Sequence, residues 1–204
     1  MLNRLPARLA SALAEAAGRW RDVKRPWLVG GSCGLVLQGV SVAAEPRDLD
    51  VYIDAADAGL FHRKLIDYSI DEQQESETAI YRSILSHYRV AGVTLELVAG
   101  FEVRAAGAEY RVEIAETLAP YALSTEAGGT GVGVMPLAHE LTFNLLRDRE
   151  DRYTAIAETM RGDLPRHIGA LHRIVARNKF EPFRIRKMAS LLAVSPEFLT
   201  AREG

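Results

Sequence analysis

The stretch from Trp27 to Asp54, WLVGGSCGLVLQGVSVAAEPRDLDVYID, decides the fold. It begins with an apolar run, passes through two glycines and a serine, and continues as a segment with helical spacing. Near its end, charged and apolar residues alternate, as they do in a strand with one buried face. These patterns predict a strand over 26–30, a helix over 32–39 and a strand over 48–54.

Two carboxylates mark the second of these strands. Asp48 and Asp50 lie on the same face because side chains in a strand alternate. Two carboxylates at such a short distance repel each other unless a cation lies between them. Mg²⁺ suits such a position, because it prefers carboxylate ligands together with substrate phosphates. The turn Gly30-Gly31-Ser32 could bind a phosphate, because glycines allow the backbone to approach it closely and the N-terminus of a helix favours anions. The unit therefore contains the parts of a phosphoryl or nucleotidyl transfer site.

This arrangement resembles the nucleotidyltransferase superfamily, which includes DNA polymerase beta-like, antibiotic-modifying and minimal toxin–antitoxin nucleotidyltransferases. The family motif is an apolar residue, Gly-Gly or Gly-Ser, a helix, and then Asp-x-Asp between apolar residues. The matching positions are Val29, Gly31, Ser32, Asp48 and Asp50. The resemblance implies an α+β fold with a mixed sheet flanked by helices and a helical region after it.

The resemblance also implies roles for the matched residues. Gly30, Gly31 and Ser32 would hold the outer phosphates of an NTP. Asp48 and Asp50 would bind two Mg²⁺ ions.

The family has a third carboxylate on a neighbouring strand, and Glu96 is its match here. Glu96 lies among apolar residues in the segment 93–98, although Glu102 is close in sequence and many relatives have Asp at this position. By the resemblance Glu96 would bind only the catalytic ion and help to activate the acceptor hydroxyl. A solvated acid on a strand is the alternative.

A dense charge run spans 147–152. In relatives, a basic residue of the helical half often reaches the nucleotide phosphates, which makes Arg147 and Arg149 candidates for nucleotide binding, with Arg152 as a further one. A solvated run at a helix end is the alternative interpretation. Relatives often have a Lys in the preceding helix, where this chain has Asn144.

The composition limits which class of substrate and which cellular compartment we expect. The 204 residues are 48% hydrophobic and 25% charged, with a net charge of −2, which argues against a long nucleic acid as substrate. A single cysteine, Cys33, excludes an internal disulfide and fits a reducing cytoplasm. We expect Cys33 to be a packing residue rather than a nucleophile, and no segment has the length of a membrane helix.

The pattern along the rest of the chain predicts an α/β half followed by helices. The expected units are an α/β core with an N-terminal helix over 1–123, a Gly-rich linker over 124–135 and a helical region over 136–204. A mobile flap over the site is the alternative for the glycines at 128–133. Further strands are predicted around 79–90 and 93–99, with a short hairpin over 101–114. Further helices are predicted over 5–17, 56–66, 136–147, 151–161, 164–177 and 181–192, with a last one opened by Ser195-Pro196.

The function that these observations predict is metal-dependent transfer of an NMP from an NTP to a hydroxyl of a small molecule, with release of pyrophosphate. The alternative is an antitoxin-like or degenerate protein of the same fold that binds or modifies a partner protein or RNA. His139-Glu140 begins like a zinc-protease helix, but Phe143 occupies the position of the second histidine, so we reject that motif.

Overall fold

The computed structural model describes residues 2–201 and has one mixed sheet at its centre. Within these residues the sheet has nine strands in the order β3-β4-β5-β2-β1-β8-β7, with β6 pairing with β5 and β9 pairing with β6. The strands are β1 Leu28–Gly30, β2 Leu49–Ile53, β3 Gln74–Glu77, β4 Tyr81–Val90, β5 Val93–Ala105, β6 Ala108–Arg111, β7 Leu123–Ala127, β8 Thr130–Val134 and β9 Lys179–Phe180. Strands β2 and β5 are parallel, as are β1 and β8, and the other pairs are antiparallel.

The described residues also form eight α-helices, each at a predicted place. They are α1 Ala7–Arg19, α2 Gly31–Leu37, α3 Ala58–Lys64, α4 Leu137–Leu146, α5 Glu150–Gly162, α6 Leu164–Arg177, α7 Pro182–Leu192 and α8 Pro196–Thr200. The last of these begins where predicted, because Ser195 caps it by accepting a hydrogen bond from the Phe198 backbone N–H at 3.2 Å. The α+β class and the C-terminal helical region are confirmed. No helix in the described part of the chain is long and apolar enough to span a bilayer.

The sheet separates two apolar cores, which follow from strand alternation. In β2, Val51 packs with α1 and α3 on one face, and its neighbour Tyr52 packs with the C-terminal helices on the other. Asp50 lies one residue before Val51 and therefore faces the C-terminal helices. The candidate site is thus on the face of the sheet that α4 and α5 cover.

The predicted linker over 124–135 is wrong. These residues form the β7–β8 hairpin, and β8 lies inside the sheet between β1 and β7. The Met135 N–H donates to the Val29 carbonyl at 2.8 Å, which continues the parallel pairing with β1. The α/β part therefore extends to residue 134 rather than 123. The residues of this hairpin are mostly glycines and small polar residues, so the sequence shows no alternation of apolar and polar residues that would indicate a strand.

Candidate active site

The three acids of the motif line one pocket because of the register between two strands. Parallel pairing of β2 with β5 sets Asp50 directly opposite Glu96, and Asp48 comes just before β2 on the side of Asp50. The pocket has a volume of about 350 Å³, and Ser32 and Arg152 line it together with the acids. Its remaining lining comes from the loop over 44–47.

The glycine turn is shaped by its contact with Asp50. Gly31 has a φ of +56°, a left-handed conformation that favours glycine. A Cβ at this position would lie only 1.8 Å from Oδ2 of Asp50, so the carboxylate rests directly on the glycine backbone. Any side chain at position 31 would displace Asp50 from the pocket.

Electrostatics disfavour a bare carboxylate at Asp50. Its pKa is raised to about 8, mainly by burial and also by the nearby carboxylates of Asp48, Glu96 and Glu140, while Arg147 opposes the rise. Burial also raises the pKa of Glu96, against the effect of a nearby histidine. Anions that repel one another in a partly enclosed pocket favour a bound positive charge.

The donor set fits Mg²⁺, although the acids are not a preformed cage. Within residues 2–201, no three His, Cys, Asp or Glu side chains are grouped closely enough to hold a metal ion on their own. Mg²⁺ commonly takes one or two carboxylates and completes its shell with water and substrate phosphates. Asp48 and Asp50 would hold such an ion, with Glu96 beside them.

The second candidate for the third acid, Glu102, lies elsewhere. It forms ion pairs with Arg111 at 3.0 Å and with Arg104 at 3.3 Å, whereas Glu96 lines the pocket. The neighbour of Glu96 on β4 is His87, whose Nε2 lies 3.9 Å from Oε1 of Glu96.

Of the three candidate arginines in the charge run, one lines the pocket. Arg152 donates from Nη2 to the Ser32 hydroxyl oxygen at 3.0 Å and lines the pocket. Arg149 is exposed and paired with Asp151, with contacts of 3.1 and 3.0 Å, and it is not among the pocket residues. The structure therefore does not place Arg149 at the site.

Arg147 lies at the edge of the site rather than in the pocket. Its guanidinium carbon is 4.3 Å from the centre of the Phe143 ring, and Nη2 donates to Asn144 Oδ1 at 2.7 Å. It is close enough to Asp50 and Glu140 to lower the pKa of both.

One site residue was missed by sequence reasoning. Glu140 on α4 is 1% exposed, and its Oε1 accepts a hydrogen bond from the Gly31 N–H at 2.7 Å. This N–H, which the motif assigns to a phosphate, is thus already paired. The available signal was an acid among apolar residues of one helix, between Leu137 and Leu141.

Cys33 has the packing role that we expected. It is fully buried, and its thiol contacts the Asp48 carbonyl at 3.1 Å. The pKa of the thiol is raised to about 12, mainly by burial and also by the carboxylates of Asp50 and Asp48. A thiol in this state is not a nucleophile at neutral pH.

Solved structures with the same fold are nucleotidyltransferases. A Thermotoga maritima protein, described provisionally as a nucleotidyltransferase, aligns with a TM-score of 0.61 and 23% identity over 79% of this chain and 95% of that chain. The solution structure of the antibiotic-resistance factor ANT(2'')-Ia aligns with a TM-score of 0.51 and 12% identity over 89% of this chain and 94% of that chain. No protein-family model and no curated protein matches the sequence. The chain thus has the nucleotidyltransferase fold.

Proposed function

We propose that this protein is a metal-dependent nucleotidyltransferase that moves an NMP from an NTP to a hydroxyl of a small molecule. The observation that carries the proposal is the strand register that sets Asp50 opposite Glu96 in a pocket faced by Ser32 and Arg152. It combines acidic metal ligands with a cation and a hydroxyl that suit phosphate, on a fold shared with nucleotidyltransferases.

In the proposed reaction the acceptor oxygen attacks the α-phosphorus of the NTP. A new P–O bond forms, the bond to the β-phosphate oxygen breaks, and pyrophosphate leaves with its electron pair. The proton of the acceptor hydroxyl passes to the Glu96 carboxylate, whose raised pKa makes it a better base. Mg²⁺ held by Asp48 and Asp50 would lower the pKa of the acceptor hydroxyl and offset the charge of the leaving pyrophosphate.

Ser32 and Arg152 would contact the outer phosphates. Because the Ser32 oxygen accepts from Arg152, its own O–H remains available to a phosphate oxygen. A guanidinium adds the charge-assisted contact that relatives obtain from a lysine.

A small acceptor suits the charge of the protein. The net charge is −2, whereas proteins that bind long nucleic acids usually carry an excess of basic residues.

The test is pyrophosphate release from each NTP with Mg²⁺ across a panel of hydroxylated small molecules. Glu96→Gln should lower kcat by about 10²-fold or more while leaving most NTP affinity, because it removes the proton acceptor. Glu102→Gln is the matched control on the same strand and should retain wild-type turnover, since that acid lies in surface ion pairs. Equal losses in both variants, or no release with any acceptor, would contradict the proposal.

A further inference from the structure

Glu140 is an ionisable side chain at a position where a charge would be unfavourable. Every residue of α4 is buried, and Glu140 is 1% exposed. An ionisable group in such a position costs stability unless it is hydrogen-bonded. The contacts that compensate for this cost indicate what the residue does.

Those contacts connect the glycine turn to the helical region. Oε1 of Glu140 accepts from the Gly31 N–H at 2.7 Å, and Oε2 lies 3.5 Å from the Asn144 amide nitrogen. The other end of Asn144 accepts from Arg147 at 2.7 Å. Glu140, Asn144 and Arg147 are spaced four and three residues apart, so they follow one side of α4 and its end.

Two carboxylates contact the turn. Asp50 fills the space that a Cβ of Gly31 would occupy, and Glu140 accepts the hydrogen bond of the Gly31 N–H. Ser32 is the next residue, and its direction depends on the left-handed conformation of Gly31.

We propose that Glu140 is a positioning residue of the active site, whose buried carboxylate holds the Gly30-Gly31 turn so that Ser32 and Asp50 face the same pocket. This inference rests on the proposed function, because the pocket is where an NTP would bind. Glu140 is fully enclosed and does not itself meet the nucleotide, and the Gly31 N–H that it occupies is not a phosphate donor.

Three variants of Glu140 and one control separate positioning from general stability. Glu140→Gln keeps an acceptor for the Gly31 N–H, while Glu140→Leu and Glu140→Ala remove it. Thr142→Val is the matched control, because Thr142 is equally buried on α4 and its hydroxyl bonds only the Ala138 carbonyl, at 2.8 Å. Calorimetric affinity for a non-hydrolysable ATP analogue with Mg²⁺ is measured for each folded variant, well below its melting temperature.

We expect Glu140→Leu or Glu140→Ala to lose about tenfold or more in affinity, as for a lost hydrogen bond to a charged group. Glu140→Gln should recover most of it, and Thr142→Val should bind like the wild type even where its melting temperature falls. If Glu140→Leu folds poorly, Glu140→Ala decides the comparison. Wild-type affinity in either removal variant, or an equal loss in Thr142→Val, would overturn the proposal.

A nucleotide-free measurement distinguishes failure of this inference from failure of the proposed function. The amide proton of Gly31, bonded to a carboxylate, should resonate downfield in an NMR spectrum, and removal variants should shift it together with Ser32. If the wild type binds no nucleotide, the proposed function is wrong, and these resonances still decide whether Glu140 holds the turn. Unchanged Gly31 and Ser32 resonances in the removal variants would refute the positioning role.

Discussion

The hydroxyl of Ser32 and the guanidinium of Arg152 are 120 positions apart in sequence and 3.0 Å apart in space. This contact puts a positive charge in the pocket that the carboxylates also line. Arg149, three residues earlier, turns outward to Asp151. Two arginines of one charge run thus have different surroundings.

A pair of substitutions tests this distinction. Arg152→Ala should weaken NTP–Mg²⁺ binding about tenfold, since it removes a charge-assisted contact to phosphate. Arg149→Ala should leave the affinity unchanged, because its partner is an exposed carboxylate and such pairs contribute little. Isothermal calorimetry of both variants is the measurement. The reverse order of effects would show that Arg149 swings into the pocket and that our assignment is wrong.

The shift in the pKa of His139 predicts how the stability of the protein changes with pH. This pKa is lowered to about 3, mainly by burial and also by the nearby Arg147. The unfolded chain, with a histidine pKa of about 6.5, therefore binds a proton before the native state does. The stability that this histidine contributes is present above pH 6.5 and is lost as the pH falls toward 3.

His139→Gln should remove this pH dependence. Urea unfolding of both proteins between pH 7.5 and about 4.5 gives the difference in unfolding free energy, in which the other groups cancel, including Glu140 with its raised pKa. We expect the advantage of the wild type to shrink as the pH falls below 6.5. A difference that stays constant with pH would mean that the native and unfolded states bind the His139 proton equally, which would contradict a lowered pKa in the native state.

At the scale of elements, the strongest patterns predicted the helices and the strands of the motif, whereas the short or glycine-rich strands β3, β7, β8 and β9 were not predicted. The strand of Asp50 and the strand of Glu96 were found because acids interrupt regular apolar positions there, and the β2–β5 register then brought the two acids together. The β7–β8 hairpin was missed because its residues are small, and β8 is stabilised by its neighbours β1 and β7 rather than by its own apolar pattern.

The parts of the site that come from helices could not be predicted for a related reason. Glu140 and Arg152 reach Gly31 and Ser32 only after α4 and α5 pack against the sheet. Local periodicity gives the position of a helix but not its rotation relative to a turn more than a hundred residues earlier. A resemblance to a motif identifies site residues only within the motif itself.

Two glycines of β8 provide a test of the hairpin as a structural element. A Cβ at Gly133 would lie 2.5 Å from Leu28 Cδ2 and 3.2 Å from the Trp27 carbonyl, so Gly133→Ala should destabilise the protein by about 1–3 kcal/mol. A Cβ at Gly131 would meet no atom within 4 Å, and Gly131→Ala should be neutral or stabilising by up to about 1 kcal/mol. Chemical denaturation measures both. Equal, small effects would indicate that 130–134 behaves as the flexible segment first expected.

For the molecule as a whole, the site joins the two halves of the chain. Asp50 and Ser32 belong to the α/β part, whereas Arg152 belongs to the helical region, and the two cores on either side of the sheet hold these parts in place. A ligand in the pocket would therefore contact both parts at once. Binding energy of this kind stabilises the native state and slows local opening of every element that contributes a contact.

Hydrogen exchange should show this coupling. With Mg²⁺ and a non-hydrolysable ATP analogue, we expect slower amide exchange in α2 and in the first turn of α5, because Ser32 and Arg152 would share the phosphates. Strand β6, which lines a different cleft, should exchange at its unliganded rate. Asp50→Asn should abolish the protection in both helices, since it removes a metal ligand but leaves Ser32 and Arg152 in place. Protection of α2 alone would mean that the helical region does not contribute to the nucleotide site, and equal protection in Asp50→Asn would exclude Asp50 as a ligand of the metal.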